Sequence, residues 1–268
     1  HHIAADAFLP KIISGLLTTA KKQNIRILVD WVETEHQESA YFELARAKRI
    51  DGMILSTPRL NDKALKALEN VDIPTVMMGS ISGSKLPFVD VDNIKAAEKA
   101  TSYLIELGHR DIACISNAPP EYTAAPERVA GYRNVLSRMN VPINEKLVCY
   151  ADFDPESGYD CMKSILQSGE KFTAAFVASD NVAIGAKAAL REANMRIPED
   201  ISLIGFDDIP WAKYSDPPLS TIRLPAEALA QSACTLLLDM IQGNENRQNN
   251  HLILETELII RQSCKAIQ

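Results

Sequence analysis

The sequence predicts an α/β protein built as two similar lobes, each a doubly wound parallel sheet. Three observations carry that expectation. Short apolar runs alternate with segments of helical periodicity along almost the whole chain, the pattern of parallel sheets covered by helices on both faces. The alternation passes through two comparable series, separated by a loop rich in proline and alanine from Asn117 to Pro126. A length of 268 residues also exceeds one simple core and suits two.

In the first series, Phe8, Ile12, Ile13, Leu16, Leu17 and Ala20 recur at helical spacing and predict a helix with one buried face. A strand is expected at Ile25 to Val29. A doubly wound half normally begins with a strand and none precedes this helix, so the chain is expected to lack its first strand. Helix Ser39 to Arg49 then leads to strand Gly52 to Ser56, and helix Asp62 to Asn70 to strand Thr75 to Met78. After a polar loop come the extended piece Phe88 to Val91, an Asp92-Asn93 cap, helix Ile94 to Leu107 and the C′ glycine Gly108. Strand Asp111 to Ser116 is expected to close the series.

The second series predicts helix Glu127 to Met139, strand Leu147 to Tyr150, helix Pro155 to Gln167 and strand Thr173 to Ala178. Ser179-Asp180-Asn181 then suits a helix N-cap before helix Val182 to Asn194, and strand Ile201 to Phe206 ends at Asp207-Asp208. Ligands of open parallel sheets bind outside the carboxyl ends of the strands, which places Asp180 and Asp207 on one rim. The extended stretch 217–222, helix Ala226 to Gln242, a polar loop from Gly243 to Asn250 and a final strand Leu252 to Ile260 complete the chain.

Composition narrows the function classes. Net charge is −7, from 28 Lys and Arg against 35 Asp and Glu, so no surface here is built to neutralise phosphates, and nucleic acid could be held only by a segment outside this chain. No apolar run approaches the roughly 20 residues of a membrane span, and no signal peptide is visible. The five cysteines (114, 149, 161, 234 and 264) are dispersed without a C-x-x-C pair, which predicts reduced, cytoplasmic thiols and no metal site. No glycine-rich phosphate loop and no Ser-His-Asp or Cys-His set is present, so neither a cofactor nor a catalytic residue is expected.

A series of short motifs resembles the effector-binding core of the lactose-repressor/galactose-repressor family of bacterial transcription regulators, itself similar to the type I periplasmic sugar-binding proteins. The matching pieces are Asp51-Gly52-Met53-Ile54-Leu55, Gly108-His109-Arg110-Asp111-Ile112, Glu127-Arg128-Val129-Ala130-Gly131-Tyr132 and Ala178-Ser179-Asp180. Ile197-Pro198-Glu199-Asp200-Ile201-Ser202, Gly205-Phe206-Asp207-Asp208, Pro218-Leu219-Ser220-Thr221-Ile222 and Leu258-Ile259-Ile260-Arg261-Gln262-Ser263 follow in the family's order. Each piece alone is weak, and together they span nearly the whole chain.

The resemblance implies two lobes joined by three crossovers, with a ligand cleft between them. The crossovers are expected near Asn117, near Arg223 and within Gly243 to Asn250, giving one lobe from residues 1–117 with 224–247 and another from 118–223 with 248–268. It also implies a homodimer that meets operator DNA only through a helix-turn-helix headpiece missing from this chain.

The same resemblance nominates the ligand-binding residues, each with an ordinary alternative. Arg128 matches an arginine that bonds ligand oxygens with its planar fork; by position alone it also fits a surface residue paired with Glu127 or Glu121. Asp207 matches a carboxylate that accepts ligand protons, or else caps a turn. Ser179 faces ligand in the family, and Asp180 divides between ligand contact and helix capping. Phe153 matches an aromatic that stacks on effector in the purine-responsive member, or packs under its own loop. Phe8 and Leu9 enter the first helix where the family places apolar ligand-facing residues, and Asp6, just upstream, could add an acceptor for sugar hydroxyls. Tyr122 and Ala124 fall in the loop that tunes ligand choice and depart from the polar purine-responsive pattern. Asp92 resembles a cleft-edge aspartate that capping explains equally well. Trp211 could stack on a sugar face, although packing or the dimer interface, with Tyr214, is the favoured role. His109 and Asp208 are expected to be structural.

The resulting expectation is the effector-sensing core of a repressor-type regulator, taking a small polar metabolite of the sugar class. A periplasmic sugar-binding protein for a transporter shares the fold and is the first alternative. A glycosidase using Asp180 and Asp207 as its carboxylate pair is the second, less favoured one.

Overall fold

The computed structural model describes residues 8–30, 32, 40–41, 43–44, 49–244 and 251–267. Contacts divide the chain into two units. One holds Pro10–Asp90 and Ala226–Leu254, and the other holds Val91–Pro225 with the chain from Glu255 onward.

The first unit is a four-stranded sheet with its helices. Helix α1 (Leu9–Gln23) buries Ile12, Gly15 and Ala20 while Leu17 faces solvent. Strand β1 (Met53–Ser56), helix α2 (Lys63–Leu68), strand β2 (Thr75–Met78) and strand β3 (Phe88–Val91) follow. Asp62 caps α2 by accepting from the Ala64 and Leu65 amides. The sheet order is β1-β2-β3-β9, where β9 is His251–Leu254.

The strand expected at Ile25 to Val29 is not formed. Residues 25–30 carry no ladder, and Leu28 and Val29 stand 69% and 61% exposed. A strand needs a paired edge to satisfy its backbone groups, and no described strand pairs with this segment. Of the helix expected at Ser39 to Arg49, residues 40, 41, 43 and 44 are helical and the others lie outside the described residues, apart from Arg49, which is not helical.

The second unit positions the candidate site. Its elements are α3 (Asn93–Glu106), β4 (Ile112–Ile115), α4 (Ala124–Arg138), β5 (Val148–Cys149), α5 (Pro155–Gln167), β6 (Ala174–Val177), α6 (Asp180–Glu192), β7 (Ser202–Asp207), β8 (Ser220–Arg223) and β10 (Glu257–Ile259). Helix α7 (Ala226–Ile241) belongs to the first unit. The six strands order as β10-β8-β7-β6-β4-β5, all parallel except β10, which runs antiparallel to β8.

Strands β4, β6 and β7 are buried at every residue, as expected for parallel strands covered on both faces. Ala113, Ile115, Ala175, Val177 and Leu203 pack with Met162, Ile165, Val182 and Ala186 of α5 and α6. Close approach of those two helices depends on Gly185, because a Cβ there would collide with the Pro155 carbonyl. Ile112, Cys114, Phe176, Ile204 and Phe206 alternate with the first set and are also buried. On the other helix pair, the Tyr132 hydroxyl donates to the Ile112 carbonyl at 2.7 Å.

Several boundaries differ from the sequence reading. Strand β4 does not close the first series: it lies between β5 and β6, and α3 packs against α4. The division by contacts therefore falls between Asp90 and Val91, where 117 was expected. The single strand expected at Leu252 to Ile260 is two, β9 in the four-stranded sheet and β10 in the six-stranded one. The chain thus passes between units at Leu254 and Glu255, beyond the expected loop. Apolar runs look alike whichever sheet receives them, so pairing decides these points.

The expectation of uniformly reduced thiols is also corrected. Cys149 on edge strand β5 and Cys161 on α5 form a disulfide across a separation of 12 residues, with Cα atoms 5.7 Å apart. The strand-loop-helix return brings them together, and no spacing motif announces it. Cys114, Cys234 and Cys264 are free. Among the described residues no helix is long and apolar enough to cross a membrane.

Candidate functional site

The site is the carboxyl rim of the six-stranded sheet. Helix α4 starts at Ala124, three residues earlier than the periodicity predicted, and carries Arg128 on its buried side. Arg128 is only 7% exposed, which removes the surface-arginine alternative. Its Nε donates to Asn93 Oδ1 at 2.9 Å and its Nη1 to the Ala178 carbonyl at 2.7 Å. The guanidinium carbon sits 3.8 Å from the centroid of the Phe206 ring, a stacked cation–π geometry. Nη1 lies 3.8 Å from Asp207 Oδ1, an electrostatic contact longer than a hydrogen bond. Asn93 in turn donates to Glu127 Oε2, so two residues at adjacent helix ends fix the plane of the fork.

The backbone at the end of β7 is unusual. Asp207 has φ 109°, a conformation side-chain-bearing residues rarely adopt, and Asp208 has φ 51°, in the left-handed region that aspartate tolerates. Two ion pairs hold the Asp208 side chain: its oxygens accept from Arg261 Nη2 at 2.6 Å and Arg223 Nε at 2.8 Å. Burial alone would raise the Asp208 pKa, but these bonds hold it below the ordinary value. Its structural role agrees with the sequence reading.

Asp180 is resolved differently from its expected cap. The side-chain cap of α6 is Ser179, which accepts from the Asn181 amide, and Asp180 is the first helical residue. Asp180 is 1% exposed, and both its oxygens bond protein: Oδ2 accepts from the Ile209 amide at 3.0 Å and Oδ1 from the Thr221 hydroxyl at 2.7 Å. Gly205 in β7 leaves the space, since a Cβ there would collide with Oδ1. Burial, with the negative charge of Asp207 nearby, raises the Asp180 pKa well above the carboxylate range. Its geometry is that of a buried brace between α6, β8 and the turn after β7.

Phe153 follows β5 in a left-handed conformation, φ 64°. Its amide donates to the Asn117 carbonyl at 2.9 Å, and its carbonyl accepts from Asn181 Nδ2 at 2.8 Å. Tyr122 meets it edge-on at 4.9 Å and 87°. The two aromatics nominated from sequence are thus in contact, with Ala124 just beyond Tyr122 at the start of α4.

The remaining nominations scatter. Asp92 caps α3, accepting from the Lys95 amide at 2.9 Å and pairing with Lys95 Nζ at 3.0 Å. Burial pushes its pKa up, and those bonds pull it to a net lowering. Phe8 and Leu9 are half-buried at the start of α1, and Asp6 lies outside the described residues. Trp211 and Tyr214 are 64% and 72% exposed on the turn after β7. His109 is buried between Thr173 Oγ1 and the Lys265 carbonyl, and burial lowers its pKa. Asn93, Asn117 and Phe206 were not nominated: Asn93 reads as part of a cap, Asn117 as loop, and Phe206 as one more strand apolar.

Comparison with known proteins identifies the family. Residues 101–264 match the family model described as a periplasmic binding protein-like domain. The HTH-type transcriptional repressor CytR of Escherichia coli (strain K12) is 35% identical over 98% of this chain and 77% of its own length. A LacI family transcriptional regulator from Enterococcus faecium, solved with bound ribose, aligns with a TM-score of 0.84 at 26% identity over 100% of this chain and 98% of that one. The chain belongs to the LacI family of transcription regulators. A further LacI-type neighbour, the transcriptional regulator CelR in complex with cellobiose, gives a TM-score of 0.90 at 31% identity over 97% of this chain and 80% of that one. Residues of Glu127-Arg128, Ala178-Ser179-Asp180 and Gly205-Phe206-Asp207 meet on the rim, where Arg128 bonds the Ala178 carbonyl and stacks on Phe206.

Proposed function

We propose that this chain is the effector-sensing part of a LacI-family repressor and that a small polar ring compound, of the sugar class, seats on the carboxyl rim of the six-stranded sheet. One observation carries the reading: Arg128, buried against Phe206 and oriented by Asn93, sits beside Asp207 at the strand ends. A planar donor fork next to a carboxylate matches vicinal hydroxyls, and Phe153 with Tyr122 offers an apolar face for the ring. Support also comes from relatives solved with ribose and with cellobiose. The effector acts by differential affinity for two arrangements of the protein, as a cytoplasmic homodimer that reaches operator DNA through a helix-turn-helix segment outside this chain.

A thermal-shift screen against sugars, sugar phosphates, nucleosides and purines tests this, because a ligand of the native state raises its apparent stability. At least one sugar is expected to raise the melting temperature of the wild type and to do so far less for Arg128→Met. A screen in which no compound shifts the wild type sinks the reading.

The Cys149–Cys161 disulfide favours a second reading, an exported sugar-binding protein of an oxidising compartment. Sedimentation separates the two. A dimer at micromolar concentration without ligand is expected of the regulator, and a strict monomer with a tightly bound sugar supports the exported protein.

A further inference from the structure

The order β6-β4-β5 puts the end of β4 between two rim elements already described. On one side the Ala178 amide donates to the Ile115 carbonyl at 2.8 Å, joining the Ala178-Ser179 turn to β4. On the other, Phe153 donates its amide to the Asn117 carbonyl, and Ser116 Oγ bridges the Ala151 amide and the Ala118 carbonyl. Asn117 therefore stands at the junction of the β4 end, the Phe153 loop and, through the Phe153–Asn181 bond, the start of α6.

At that junction Asn117 is 9% exposed, and its side-chain Oδ1 is buried without a hydrogen-bond partner among the described residues. A buried amide oxygen left unpaired destabilises the folded state, and native proteins seldom retain one. An apolar side chain of similar size would avoid the penalty. Phe153 is tied to Asn117 through its amide and to Asn181 through its carbonyl, and its ring meets the Tyr122 edge, so the backbone joins this aromatic to the residue that carries the unpaired oxygen.

We propose that Asn117 is a specificity-determining residue of the effector site, its Oδ1 accepting a hydrogen bond from a donor on the edge of a ring that lies against Phe153. The proposal rests on the effector reading of the rim and narrows it: the compound must carry a hydroxyl or amine proton beside its flat face. A pyranose or furanose hydroxyl supplies that donor, and so does the exocyclic amine of a nucleobase.

Titration calorimetry with D-ribose, cellobiose, adenosine and cytidine against wild type, Asn117→Ala and Asn117→Asp tests it, with unliganded melting curves for all three. For whichever probe binds the wild type, Asn117→Ala should weaken the dissociation constant by about tenfold, while the unliganded melting temperature stays level or rises because no protein partner is lost. An analogue of that probe lacking the single donor, a deoxy sugar or a desamino nucleoside, should bind wild type and Asn117→Ala equally. Ribose or cellobiose binding assigns the donor to a sugar, and binding confined to nucleosides assigns it to the base. Equal affinity of Asn117→Ala and wild type for the intact probe overturns the proposal, as does a lower unliganded melting temperature with unchanged affinity. Absence of binding to the wild type overturns the effector reading and this proposal with it, whereas failure of the proposal alone shows only in the variant.

Discussion

The two ends of one rim are built on opposite principles. At the β7–β8 end, Asp180 and Asp208 each have both carboxylate oxygens bonded to protein groups. At the β4–β5 end, Asn117 keeps a buried oxygen without a partner among the described residues, and the neighbouring loop is held by backbone bonds, an aromatic edge and the Cys149–Cys161 disulfide. Fully paired polar groups hold the sheet together, whereas the unpaired oxygen of Asn117 is the acceptor proposed above for the effector. Arg128 stands between the two ends: it is bonded to Asn93 and Ala178 and stacked on Phe206, close to Asp207.

That contrast can be broken at either end. The largest effect is expected for Asp180→Ala, which strands the buried Ile209 amide and Thr221 hydroxyl; at about 1–3 kcal/mol for each unpaired group, chemical denaturation should show a loss of about 4 kcal/mol. Next comes the covalent tie at the open end. Cys161→Ser, or reductant added to the wild type, should lower the unfolding free energy by about 3 kcal/mol, the expectation for releasing a loop of this size, and reductant should leave Cys161→Ser unchanged.

Asp208→Asn is expected to cost about 2 kcal/mol at neutral pH, mainly from the charge-assisted bond to Arg261. Its pH dependence has a definite sign. A carboxylate whose folded pKa is lowered stabilises fully above its unfolded pKa, about 3.9, and loses that contribution as pH falls. The gap between wild type and Asp208→Asn should therefore be constant at neutral pH and shrink below about pH 4. A gap that widens on acidification would exclude the ion-pair account. The smallest effect belongs to Tyr122→Ala, where loss of the edge-on contact with Phe153 should cost about 1 kcal/mol in unliganded stability, with a larger loss in effector affinity.

How much of this was legible beforehand follows from what each residue depends on. Helix α5 was readable residue for residue, because Asp154 as N-cap, Pro155 at N1 and its apolar spacing are local signals. Strands β1, β2, β3 and β7 were readable within one residue from apolar runs between turn residues. Arg128 and Asp207 could be nominated only through motif resemblance, since nothing local distinguishes a buried arginine from a surface one. Asp180 could not be separated from its neighbour as the cap, because Ser-Asp-Asn offers three capping side chains in a row.

The sequence by itself determined the α/β class, most element positions and the family, because these depend on periodicity, capping and short motifs. Tertiary structure decided the rest. Assignment of β4 to the six-stranded sheet, the splitting of the last strand between two sheets, and the absence of a ladder at residues 25–30 depend on which strand finds an open edge. The disulfide depends on α5 folding back across β5. The roles of Asp180, Arg128 and Asn117 depend on whether donors and acceptors distant in sequence meet each side chain once it is buried. Hydrogen-bond pairing in the interior is a property of the packed chain, and there it separates the residues that hold the rim from Asn117, whose Oδ1 has no partner among the described residues.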